Sequence, residues 1–435
     1  MNRRRYLSAL AAGTLAGLAG CAAIGDSGDG GPSGTTGIDG EASTDRTPAE
    51  SRTGGSATPG AATGGPNASN PGDVAAIGGV ELPLPESELR RGAPKDAIPA
   101  IVDPQFGRDW SDLESRSVRD RSGIEYTTVP SLDDGETIIG VERDGRARAY
   151  PLAVLDWHEI VNDSFGGPLL VTYCPLCGSG LVARRRVAGA ETTFGVSGYL
   201  WRSNLVMYDR ATGSLWNQIS ATAIRGPRTG ETLELVPSTL TTWGGWREAH
   251  PDGEVLLPPP ISGTVAGEVT RDYERSPYLG YDESARIGIG GEFEDDRLHP
   301  KTTVIGVTSD GVARAYPLDA VTEAGVINDT VDELPVVVAV GPGGTLVAYE
   351  RRVGEVAPNT RATAARERRA DGGTPEFAPD GEAHMTGGGS RWEILSGRAV
   401  DGPYEGTVLQ QANEVSPEFF FAWLEFHPDT EVYGA

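Results

Sequence analysis

Cysteine is nearly missing from this chain, which has three in 435 residues, at positions 21, 174 and 177. That scarcity excludes a multi-disulfide scaffold and a four-cysteine zinc ribbon. Lysine is scarcer still: Lys95 and Lys301 stand against 35 arginines. Histidine is limited to five residues, His158, His250, His299, His384 and His427, so few imidazoles are on offer as ligands. No serine-nucleophile elbow, phosphate loop, dinucleotide fingerprint or paired-histidine metalloprotease motif occurs, which disfavours hydrolase and nucleotide-dependent classes. The apolar run Ala9 to Gly20 falls short of the ~20 residues a membrane-spanning helix needs.

What the chain has in quantity is acid. Its 62 Asp and Glu outnumber 37 Lys and Arg, for a formal charge of -25 and a pI near 4.6. An acidic, lysine-poor composition of this kind resembles proteins of salt-loving archaea, in which carboxylates keep the surface hydrated. It argues against nucleic acid as a partner.

The chain also repeats itself. Ile139-Gly140-Val141 returns 166 positions later as Ile305-Gly306-Val307, and Ala147 to Leu152 returns as Ala313 to Leu318. Asn162-Asp163 matches Asn328-Asp329, and Arg185-Arg186-Val187 matches Arg351-Arg352-Val353. After a short slip, Trp246 and His250-Pro251-Asp252 match Trp423 and His427-Pro428-Asp429. What both copies share reads as scaffold; what one copy alone has is where chemistry should be sought. Cys174-Pro175-Leu176-Cys177-Gly178 faces Val340-Gly341-Pro342-Gly343-Gly344, and Trp157-His158 faces Glu323-Ala324.

At the N-terminus, Arg3-Arg4-Arg5-Tyr6-Leu7 reads as a twin-arginine export signal spanning residues 1–20. It ends in Leu18-Ala19-Gly20-Cys21, which looks like a lipobox, with Cys21 the lipidated residue. Residues 21–80, poor in large apolar side chains, read as a disordered Gly/Ser/Thr/Pro tether. The expected location is therefore outside the cell, anchored to the outer face of the cytoplasmic membrane through Cys21.

Turn and periodicity signals place strands over Thr137–Val141 and Arg146–Tyr150 around Asp144-Gly145, and a short helix from Pro151 towards Val161. Pro168–Tyr173 and Leu181–Val187 read as strands flanking a turn at Cys174–Gly180. Further strands are expected at Thr192–Ser197 and Leu205–Tyr208, and a short helix at Thr241–Ala249. The predicted fold is α+β, mostly antiparallel β, as two related halves from an internal duplication with pseudo-two-fold symmetry. The first repeat covers 81–257, connecting loops 258–300, and the second repeat 301–435, with an irregular insert near 356–372.

Lys95-Asp96-Ala97-Ile98-Pro99, Ala149-Tyr150-Pro151, His158-Glu159, Thr172-Tyr173-Cys174-Pro175-Leu176-Cys177, Phe194 to Gly198, Met207-Tyr208-Asp209-Arg210 and Phe426-His427-Pro428-Asp429 occur in order. Together they resemble the exported-protein family known as domain of unknown function 3179, over about Pro94 to Tyr433. The resemblance implies a haloarchaeal lipoprotein-like member and no activity, so chemistry must be sought in the residues themselves.

C-P-x-C-G at a hairpin turn is similar to the knuckles of rubredoxins and zinc ribbons, where backbone N–H groups point at the sulfurs and favour thiolate. With no second cysteine pair, any metal here must recruit histidine. His250 and His427 occupy matched positions and read as structural, whereas His158 is confined to the copy with the cysteines. The expected site is therefore copper or zinc on Cys174, Cys177 and His158. Tyr173, Arg202, Ser203, Asn204, Tyr208 and Asp209 stand as pocket or supporting residues. Met207 offers a soft ligand but sits in a core-like run. The alternatives are a thiol–disulfide oxidoreductase using Cys174 and Cys177, and a non-catalytic envelope binding module with an inert disulfide. The sequence does not name a protein partner.

Overall fold

Asp144 and Gly145 both adopt positive φ, 52° and 71°, the geometry of a two-residue type I′ turn whose twist matches its strands. Their hairpin joins Thr137–Arg143 to Arg146–Pro151. Asp310 and Gly311, at 44° and 86°, do the same for Thr303–Ser309 and Val312–Pro317. The registers correspond, with Ile138 facing Pro151 and Val304 facing Pro317. The computed structural model describes residues 74–119, 122–353, 373–413 and 415–435. Cys21, the export signal, most of the tether and the 356–372 insert lie outside these described residues.

The α+β expectation is overturned. Strand accounts for 42% and helix for 11%, and six small sheets stand in a six-bladed β-propeller arrangement, not as two α+β halves packed about a two-fold. The unit of construction is the blade. Three blades centre on Thr137–Pro151, on Ile160–Arg184 and on Phe194–Arg225; three more centre on Thr303–Pro317, on Val326–Glu350 and on Phe377–Glu393. Among the described residues there are four α-helices, each only seven residues long: α1 Leu152–His158, α2 Trp243–Ala249, α3 Leu318–Ala324 and α4 Phe420–Phe426. At 1.5 Å per residue such helices are about 10 Å long, too short to form a covering layer. α1 and α3 form corners between successive blades, whereas α2 and α4 each join two strands of one blade.

Distant segments complete the blades. Thr239–Thr242 pairs antiparallel with Thr137–Arg143, and Glu254–Leu256 runs parallel to Arg146–Pro151. Glu418–Phe419 and Glu431–Val432 flank the Thr303–Pro317 hairpin in the same senses. A tryptophan from the following helix lies flat on each hairpin. A Cβ at Gly140 would stand 2.4 Å from the Trp246 ring, and one at Gly306 2.1 Å from Trp423. Only glycine permits that approach within a strand.

Buried polar side chains tie neighbouring blades together. Asn162 donates to the carbonyls of Ile101 and Phe194 at 3.1 and 2.9 Å and accepts from Phe194 N at 2.7 Å. Asn328 makes the same two-way bond to Phe377 at 2.7 and 2.8 Å. Arg148 and Tyr150 both donate to Asp163, as Arg314 and Tyr316 do to Asp329. Strand Leu169–Cys174 is buried on both faces, as expected for an apolar run inside stacked sheets. Among the described residues no helix is long and apolar enough to cross a membrane.

Candidate dithiol site

Strand Leu169–Cys174 turns through Pro175–Gly178 into Ser179–Arg184, with Cys174 facing Ser179 across the ladder. The turn closes through Cys177 N donating to Cys174 O at 3.0 Å, and Gly178 takes a φ of 65°. Both cysteines are free thiols, and both are buried. They hydrogen-bond to one another.

The hairpin turn beside them, at Arg202 and Ser203 (φ 49° and 62°), presents the Ser203 carbonyl to both sulfurs, 3.4 Å from Cys177 Sγ and 4.0 Å from Cys174 Sγ. Asn204 Nδ2 donates to Cys177 Sγ at 3.5 Å and to Gln218 Oε1 at 2.9 Å. Asn204 is fixed in turn by Asn217 Nδ2, which donates to its Oδ1 at 2.9 Å. This buried network holds Asn204 in place, so its amide can serve as a donor to sulfur.

The two thiols are not equivalent. Burial pushes Cys174 up, but the Cys177 thiol and the backbone N–H groups of Leu205, Cys177 and Leu176 outweigh it and bring Cys174 below the ordinary thiol value. Cys177 is driven well above it, by burial first and then by its bond to Cys174 and the charge there. Cys174 is thus the more acidic thiol of the pair and Cys177 the one that holds its proton longer.

His158 is not brought to this turn. Its Nδ1 lies 2.8 Å from Pro99 O and its Nε2 2.9 Å from Tyr273 Oη, and its ring stacks on Tyr273. Burial lowers its pKa to about 4, so it stays neutral, with one ring N–H donated to the Pro99 carbonyl. Both nitrogens are committed, which takes the imidazole out of the expected ligand set. Among the described residues no three His, Cys, Asp or Glu side chains are grouped to hold a metal ion.

The other singled-out residues divide. Ser203 and Asn204 touch the sulfurs, and Tyr173 is buried one residue before Cys174. Arg202 reaches elsewhere, to the carbonyls of Gly78 and Glu425. Tyr208 donates to Asp96 at 2.7 Å with Lys95 Nζ 3.5 Å over its ring. Asp209 caps its own turn, accepting from Thr212 N at 2.7 Å and Trp216 Nε1 at 3.0 Å. Met207 is core. His250 and His427 lie against Trp246 and Trp423, with ring centroids 4.1 and 3.9 Å apart.

Two carboxyls at the site escaped the sequence reading. Glu159, the residue after α1, is buried beside the strand that ends in Cys174, its carbonyl accepting from Tyr173 N at 2.9 Å. Burial, followed by the charge of Cys174, raises its pKa well above the usual carboxylate range. Glu418 is held to the cysteine hairpin from the other end of the chain: Phe419 N donates to Cys177 O at 2.8 Å and Ser416 Oγ accepts from Gly180 N at 2.7 Å. Burial first and then Cys174 push the Glu418 carboxyl up to about 8. The duplication carried the signal for both, since their matched residues are Gly325 and Thr241.

The segment between the repeats covers the turn. Tyr281 Oη donates to Leu176 O at 3.0 Å and accepts from Gly288 N at 2.7 Å. A Cβ at Gly288 would stand 2.0 Å from Ser203 Oγ, so the backbone there rests directly on the hairpin beside the sulfurs. Lys301 Nζ donates to Ser284 O at 3.1 Å and to Arg286 O, and lies 3.9 Å over the Tyr281 ring.

The family model described as a protein of unknown function, DUF3179, matches residues 95–430. The chain belongs to this family. That match takes in every residue of the dithiol site. No curated protein and no solved structure matches the chain significantly.

Proposed function

We propose that this DUF3179 protein carries out thiol–disulfide exchange through Cys174 and Cys177. The observation that supports it is the unequal, mutually hydrogen-bonded thiol pair at one turn, with Cys174 lowered and Cys177 raised. The Cys174 thiolate attacks one sulfur of a partner disulfide; that S–S bond breaks, and the leaving sulfur takes up a proton. Cys177 then loses its proton and attacks Cys174 Sγ, closing the internal disulfide and releasing the second partner sulfur as a thiolate that is protonated afterwards. Two electrons and the Cys177 proton leave the thiolate–thiol pair, solvent supplies the second proton that yields two partner thiols, and the reverse step regenerates the pair. Entry of a disulfide requires the Tyr281–Gly288 segment to lift from Leu176.

This chemistry belongs with the reading of the N-terminus: an exported haloarchaeal lipoprotein, anchored by Cys21, working at the outer face of the cytoplasmic membrane and not on nucleic acid. Copper or zinc on Cys174, Cys177 and His158 loses its third ligand to Pro99 and Tyr273, and a zinc site needs four. A cuprous ion held by the two sulfurs alone is the competing outcome.

The test is intact mass after alkylation of the full chain equilibrated in glutathione redox buffers. Expected is a reversible, two-electron conversion of the pair, abolished in Cys174→Ser and Cys177→Ser. A pair that never oxidises, or reduced protein that retains copper or zinc in a Cys174-dependent manner, overturns the reading.

A further inference from the structure

We propose that Glu159 and Glu418 are the proton-transfer groups of the dithiol, taking the Cys177 proton when the disulfide closes and returning it when the disulfide opens. The inference rests on the exchange reading above and adds to it the path of the proton.

Glu159 sits at the end of α1 with φ 56°, a left-handed conformation, where the matched Gly325 has φ 73°. The second copy uses the residue that takes this conformation at least cost, and the first copy uses a glutamate. A non-glycine residue held there carries strain that persists where function requires the side chain. Beyond Glu159 stands Asp156 on the same helix, which burial raises to about 6, with the charge of Glu136 also raising it. The charge of Glu136 acts on Asp156, and those of Asp156 and Cys174 act on Glu159.

Glu418 makes the case independently. It is 2% exposed and its Oε2 has no hydrogen-bond partner, a costly arrangement for a buried carboxyl with only a structural role. Its matched residue, Thr241, pairs with Ile138 as Glu418 pairs with Val304. Thr241 Oγ1 is satisfied by Thr345 Oγ1 at 2.5 Å. A threonine is therefore sufficient for the scaffold at this position, and the carboxyl appears only where the cysteines are. Glu418 also raises Cys177, the thiol that must give up its proton. The closing step balances without another group: Cys177 S–H yields its proton to the carboxylate, the Cys177 thiolate forms the S–S bond, and the partner sulfur leaves Cys174 as thiolate.

The experiment follows disulfide closure from the reduced full chain with glutathione disulfide, as a function of pH, in stopped-flow alkylation and mass analysis. Wild type should show a carboxyl-dependent limb in the closure rate that Glu418→Gln removes, with closure slowed about 100-fold at neutral pH, within the range for general acid–base catalysis. Glu159→Gln should shift the limb and slow closure about 10-fold. Glu418→Thr and Glu159→Gly restore the residues the scaffold already carries in its other copy, so they secure the result if the glutamine variants fold poorly. First attack by Cys174, read in Cys177→Ser, should be slowed much less by either substitution. Unchanged pH profiles in all four variants, with wild type still oxidising reversibly, would overturn the relay and leave the exchange reading standing. A wild-type pair that does not oxidise defeats the exchange reading itself, and the relay with it.

Discussion

Two turns in this molecule occupy matched positions and carry opposite chemistry. The turn from Cys174 to Gly178 is backed by Glu418 and Phe419; the turn from Val340 to Gly344 is backed by Thr241 and Thr242. Behind both stand the same three-strand order, the same asparagine staple and the same Arg–Asp–Tyr cluster. The second ladder is offset by one residue, so Gly341 faces Thr345 across three turn residues where Cys174 faces Ser179 across four. One turn holds two thiols among buried carboxyls; the other holds a proline and three glycines, beside the bonded hydroxyls of Thr241 and Thr345. The scaffold tolerates either filling, so the cost of the cysteine end is local. Two glutamates are kept in environments that oppose their ionisation, and one of them also in a conformation that suits glycine.

The largest effect that would sharpen this contrast concerns Glu418. Its folded pKa, about 8, lies above the ~4.3 of an unfolded glutamate. Between those values the folded state holds a proton that the unfolded state has released. Its contribution is fully present below ~4.3 and is lost as pH rises through 8. Glu418→Gln should remove that slope and leave the protein more stable above pH 8 by ~5 kcal/mol at most, read by denaturant unfolding across pH. A variant with the wild-type pH dependence would show that the carboxyl is ionised at little cost, and the two ends would then differ less than their residues suggest.

Next comes the staple. Asn162→Ala leaves a buried N–H and two carbonyls without their partner and should cost about 3 kcal/mol. Asn328→Ala, which removes two bonds at a half-buried position, should cost about 1.5 kcal/mol. Equal losses would mean that both staples are equally buried in solution. The smallest effect is Glu159→Gly. Relief of the left-handed glutamate and of its buried carboxyl should offset the entropy of a new glycine, leaving stability at neutral pH unchanged or higher by up to about 1 kcal/mol in thermal unfolding.

What could be read from the chain divides along the range of the interactions. The Asp144-Gly145 hairpin and the Cys174–Gly178 turn were legible because two residues with positive φ, or a cysteine knuckle, decide them locally. The six-bladed arrangement was not, because blades are completed by strands such as Thr239–Thr242 and Glu254–Leu256, which pair with residues far behind them in the chain. The same limit explains His158. Confinement to one copy marked it correctly as unshared, but its partners lie 59 and 115 residues away, at Pro99 and Tyr273. Helical periodicity after Pro151 gave α1 and invited an α+β reading; a seven-residue corner has the same local pattern as the start of a longer helix. Glu159 and Glu418 were within reach. The position-by-position comparison that singled out the cysteines also sets each of them opposite a residue without a charge.

Lys301 gives the molecule a reporter that arginine could not. Its ammonium is buried under the covering segment, bonded to the Ser284 and Arg286 carbonyls, and burial lowers its pKa to about 8. The burial that lowers its pKa also shields the amine from reagent, so its acylation follows uncovering. Lys95, the only other lysine, stands in the same chain as an internal reference. The ratio of acylation at these two side chains turns the lifting of one loop into a number, with no label to install.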